Sequence, residues 1–126
     1  MANALGITGT TPERGTAGHG TSGPYDIDST LIAAGPDWRA HATSEVPTGN
    51  VDLAPTLLRL AGVAVPASMT GRVIEEGFRS GPMPSSVHVS HSVETVKSAD
   101  GRYELTVHLS TAAGHRYLDF TSVTRK

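Results

Sequence analysis

Cysteine is absent from this 126-residue chain, which excludes disulfides, thiolate metal sites and a cysteine nucleophile. Aromatic residues are scarce, at 5%, and with 37% of residues hydrophobic the chain has material for one modest core. No apolar run approaches the length of a bilayer span, and the opening MANALGITGTTPERG lacks the basic-then-apolar pattern of a secretion signal, so a membrane is not an expected partner. A basic cluster is missing too. Ten Lys and Arg stand against 12 Asp and Glu, for a formal charge of -2, and nucleic acid is not an expected partner either.

What the chain has in quantity is glycine, 14 residues, and proline, 8, so much of it is expected to be turn and loop. Residues 1–24 show no apolar period and read as loop. Because Met1 opens onto a Gly/Thr stretch rather than a strand or helix, the expectation is that the chain is one part of a larger gene product.

Regular structure is expected from residue 30 onward. Thr30 to Ala34, TLIAA, is a short unbroken apolar run stopped by Gly35-Pro36, the pattern of a strand buried on both faces. VDLAPTLLRLAG supplies the clearest helix. Pro55 fits only the first turn, which favours Asp52 as the cap, Leu53, Leu57, Leu60 and Ala61 as the buried stripe, and Gly62 as the stop. A second short helix is expected over Val73 to Phe78. Beyond Pro84 the period changes to two, with Val87, Val89 and Val93 against Ser86, His88 and Ser92. Asp100-Gly101 and Ala113-Gly114 are turn signals, so three antiparallel strands forming a small sheet are expected.

Several residues invite a chemical reading. In GHGTSGPYDIDSTLIAAGPDW, His19 stands between Gly18 and Gly20, which leave the backbone free to bend and the imidazole accessible to a metal. One imidazole alone does not make a site, and a solvated loop histidine is the ordinary alternative. Asp26 and Asp28 flank Ile27 just before the apolar run, where turn formation is favoured over an acid and base pair. His88 and His91 are three apart on a strand and so point to opposite faces, which argues against joint chelation, with or without His108. Ser22, Thr21 and His19 lack the Gly-x-Ser-x-Gly elbow and an orienting acid, and residues 15–23 lack the lysine that a Walker loop needs.

Taken in order, GHGTSGPYDIDSTLIAAGPDW, PTGNVDLAPTLLRLAGVAVPASMTGRV and HRYLDF resemble the carboxy-terminal part of the alkaline phosphatase superfamily, nearest its phosphodiesterase and nucleotide pyrophosphatase branch, with the sulfatases as cousins. The resemblance covers residues 15–80 most strongly and 100–125 weakly. It implies an α/β fold: residues 1–84 as the carboxy-terminal segment of an alkaline-phosphatase-like α/β sandwich, followed by a small antiparallel β-meander at 85–126. It implies that His19 binds one of two active-site metals, commonly zinc, and that the helix after Asn50 to Thr56 is structural, with Asp52 a cap rather than a ligand.

The family's nucleophile and remaining ligands belong to an upstream part and have no counterpart in this sequence. The resemblance therefore implies a portion of a metal-dependent hydrolase of phosphoric esters, inactive alone, whose parent acts on a small-molecule phosphate ester and whose site is completed by an upstream polypeptide. Sulfate esters are the alternative substrate class. A freestanding, non-catalytic binding module is the alternative role.

Overall fold

The computed structural model of the chain describes residues 22–125, which form short helical segments followed by a small sheet. A one-turn helix, α1, spans Pro24–Ile27, and the principal helix, α2, spans Leu53–Leu60. Three strands follow: β1, Val89–Lys97; β2, Tyr103–Ala112; β3, His115–Arg125. They pair in the order β1-β2-β3, and the short turns joining them make the sheet antiparallel. The fold is thus mixed, with the expected meander present and few helices.

The chain packs as two compact units. Among the described residues, one comprises 22–30, 91–109 and 118–125; the other comprises Leu31–Ser90 and Ser110–Tyr117.

In the second unit, α2 begins and ends where residue chemistry dictates. A 3-10 turn at Asn50–Asp52 leads into it. The Asp52 carboxylate reaches back to accept the Gly49 N–H at 2.9 Å, while Asp52 N–H donates to the Gly49 carbonyl at 2.9 Å. At the other end Gly62, at φ +69°, takes the left-handed conformation, and Gly62 and Val63 donate to the carbonyls of Arg59 and Leu58, a Schellman ending.

The leucine stripe expected to be buried is not. Leu53 is 38% and Leu57 61% exposed, and Leu60 is half-buried, whereas the fully covered positions are Asp52, Pro55 and Thr56. The helix turns its polar and proline side to the interior because Asp52 and Thr56 accept backbone donors there.

The TLIAA run also departs from expectation. Residues 29–34 belong to no strand, and Leu31 and Ile32 are 49% and 85% exposed. A strand buried on both faces needs a neighbour on each edge and cover on each side. Among the described residues none pairs with this run, so it forms no regular element. The following Gly35-Pro36 does turn the chain, and Trp38 pairs with Phe78 in an isolated antiparallel bridge, their rings 5.2 Å apart. Residues 73–78 form only a 3-10 turn, Glu75–Gly77, rather than a helix.

The apolar interior of this unit is small: Val46, Ile74, Phe78 and Ala112. Close backbone approaches compensate. A Cβ on Gly71 would stand 2.0 Å from the Val51 carbonyl oxygen, and one on Gly81 would stand 1.7 Å from that of Glu75, so only glycine fits at either crossing.

In the first unit, the loop between β1 and β2 is held by Asp100, whose Oδ1 accepts from Ser98 Oγ at 2.6 Å and from Arg102 N–H at 3.1 Å. Thr121 of β3 is buried; its N–H donates to the Ser22 carbonyl at 2.7 Å, and the two hydroxyls lie 2.6 Å apart. The turn between β2 and β3, in the second unit, carries Ala113 at φ +49° and Gly114 at φ +79°, the signs that a two-residue type I′ hairpin requires.

Candidate functional site

The most densely bonded chemistry in the described residues is a buried polar cluster in the second unit. Its anchor is Asp52, fully buried, with Oδ1 accepting the Arg72 N–H at 2.8 Å and Oδ2 accepting the Gly49 N–H. One helical turn on, Thr56 Oγ1 donates to the Asp52 carbonyl at 2.6 Å and accepts from the Ile74 N–H at 3.0 Å. Asp52, just ahead of α2, and Thr56, within it, thereby satisfy the backbone of the Arg72–Ile74 segment as a neighbouring strand would.

Arg72 occupies the centre. Its guanidinium binds the Glu76 carboxylate through Nη2–Oε1 at 2.6 Å and Nη1–Oε2 at 2.8 Å, donates from Nη2 to the Pro47 carbonyl at 3.0 Å, and from Nε to the Tyr117 hydroxyl at 2.9 Å. Burial opposes its charge, but the hydrogen bond and charge of Glu76, with help from Tyr117, raise its pKa above the ordinary arginine value. Burial pushes the Tyr117 phenol up to about 12; a hydrogen bond to the Asp52 carboxylate adds to this, while the positive charge of Arg72 works the other way. Tyr117 therefore stays protonated, accepting from arginine and donating to aspartate.

Chemically this cluster is a clamp. Each ionic side chain in it is paired at short range and enclosed, so it presents neither a free base nor an open coordination position. Asp52 acts as a structural residue here. It bonds Gly49 ahead of the helix and Arg72 twenty residues on; no bond from its side chain to the first amides of α2 is present.

The other candidates from the sequence lie apart. His19, the expected metal ligand, lies outside the described residues. Asp26 sits in the first turn of α1 and Asp28 at its end, both exposed. His91 Nδ1 stands 3.9 Å from Asp119 Oδ2, and the His108 ring stacks on Phe120 at 4.0 Å. Among the described residues no three His, Asp or Glu side chains are placed to hold a metal ion. No described helix is long and apolar enough to cross a membrane.

Two features escape the sequence reading. The first is the clamp itself: the i, i+4 spacing of Arg72 and Glu76 is a visible signal, but nothing local marks Tyr117, 45 residues later in the chain, as their partner. The second is an open recess of about 420 Å³ lined by Arg39, His41, Thr43 and Ser85 among others. Arg39 Nη2 donates to the carbonyls of Phe78, Gly81 and Pro82 at 3.1, 2.8 and 3.3 Å, its buried Nε has no acceptor among the described residues, and His41 holds φ +54°.

No protein-family model, curated protein or solved structure matches this chain.

Proposed function

We propose that this chain is the carboxy-terminal portion of a metal-dependent hydrolase of phosphoric esters, related to the phosphodiesterase and nucleotide pyrophosphatase branch of the alkaline phosphatase superfamily and inactive by itself. On this reading its core continues that family's α/β sandwich, and His19 is one ligand of a two-zinc site completed by an upstream polypeptide. Zinc in such a site would lower the pKa of the attacking hydroxyl and neutralise charge on the ester oxygens. This chain contributes one imidazole and a scaffold.

The observation that carries the reading is the pairing of a motif-like sequence with uncovered apolar segments. The Asn50-to-Thr56 stretch builds a rigid helix start through Asp52 and Thr56, while Leu31, Ile32, Leu53 and Leu57, apolar residues that a sandwich would cover, are open to solvent. Exposed apolar side chains are what this reading requires of a segment whose cover is supplied by other protein.

The test compares this chain alone with the chain joined to an upstream polypeptide carrying a Thr or Ser nucleophile and clustered aspartates. Zinc calorimetry and hydrolysis of bis-p-nitrophenyl phosphate are expected to be positive only for the joined protein, and to fall when His19 is replaced by Ala. Equal zinc binding and equal activity in both would sink the proposal and favour a freestanding binding module; hydrolysis of p-nitrophenyl sulfate instead would reassign it to the sulfatase cousins.

A further inference from the structure

We propose that the recess lined by Arg39, His41, Thr43 and Ser85 is a binding site for a small oxyanion, a phosphate or a carboxylate. The argument begins with charge. Arg39 is partly buried, yet among the described residues it makes no ion pair, and its guanidinium is met only by the neutral carbonyls of Phe78, Gly81 and Pro82. The contrast with Arg72, whose equal charge is matched by a bidentate carboxylate, is direct. A cation drawn out of water without a counter-charge is unfavourable, and an anion at its open side removes that cost.

The surrounding groups suit the same ligand. His41, Thr43 and Ser85 bring an imidazole and two hydroxyls to the lining of a recess of about 420 Å³, a size that holds a small molecule, and no carboxylate lines it. His41 is also one of only two non-glycine residues at positive φ among the described residues. The other, Ala113, is explained by its hairpin turn. His41 closes no hairpin but lies in the turn at residues 40–41, where its left-handed backbone, uncommon for a residue other than glycine, sets the direction in which the imidazole leaves the chain. Arg39 supplies the charge and is fixed by the three carbonyls; His41 and the hydroxyls supply direction.

Titration of the full chain with inorganic phosphate, followed by backbone amide shifts, tests this, with acetate as the second arm to separate phosphate from carboxylate. Saturable shifts confined to residues 39–43 and 83–86 are expected. His41→Gly relieves the backbone strain while deleting the imidazole, so it is expected to bind about tenfold more weakly without loss of melting temperature. Arg39→Gln is expected to abolish binding. His19→Ala is expected to leave it unchanged, which keeps this site separate from the hydrolase reading. Absence of saturation by either anion, or unaltered affinity in His41→Gly, would overturn the assignment.

Discussion

The Arg72 guanidinium and the Glu76 carboxylate face each other through two short hydrogen bonds, with only 6% and 2% of their side-chain surfaces exposed. In a unit whose apolar interior is four residues, this pair lies where another protein would place leucine or phenylalanine. Such a pair offsets its own desolvation only while both partners are present.

Glu76→Gln is therefore expected to destabilise the chain by about 3–5 kcal/mol in urea unfolding, because it leaves the Arg72 charge buried and unpaired. Glu75→Gln, which removes the solvent-exposed Arg59 contact at 3.4 Å, is expected to cost less than about 1 kcal/mol. Equal costs at the two positions would show that the buried pair does not hold this unit together.

Gly71→Ala is expected to cost at least about 3 kcal/mol, since its methyl group would overlap the Val51 carbonyl and displace the segment that bonds Asp52. The control is Gly62→Ala, where nothing lies within 4 Å and only the positive φ is strained; about 1 kcal/mol is expected there. Denaturant midpoints of the two variants give the comparison.

Ala113 occupies a hairpin position that asks for glycine or asparagine. Ala113→Gly is expected to stabilise the chain by about 1 kcal/mol, the left-handed strain of an L-residue being relieved. A fall in melting temperature would contradict the turn assignment.

Tyr117 gives the chain an alkaline limit. Its phenol keeps its proton up to about 12 when folded, against 10.0 for the free group, so the stabilisation is complete below pH 10 and is lost as pH rises from 10 to 12. An ultraviolet phenolate titration is expected to show a late step that is absent in Tyr117→Phe, whose unfolding free energy should vary less across that window.

Where a structural signal is local, the sequence carries it. Gly62 ends α2 through a motif complete within six residues, and the alternation in β2 yields a strand whose turns fall at Asp100-Gly101 and Ala113-Gly114. Where the outcome depends on partners far along the chain, it is hidden. TLIAA has the composition of a buried strand, but burial requires neighbours that no local pattern supplies, and Ile32 stands in solvent. The leucines of α2 show the right period, yet the face that turns inward was chosen by the hydrogen-bonding appetite of Asp52 and Thr56 for a segment some twenty residues on. The same distance conceals the meeting of Arg72 with Tyr117. His41 gives no sign of its left-handed backbone, because no rule of spacing singles out a histidine for that region.

The chain's single tryptophan, Trp38, is wedged against Phe78 and the bare Cα of Gly77. Its indole emission is accordingly a gauge of the unit that contains it. Heating curves read by that fluorophore and by far-ultraviolet dichroism will coincide if the chain melts as one cooperative body, and will part if its two halves come undone in succession.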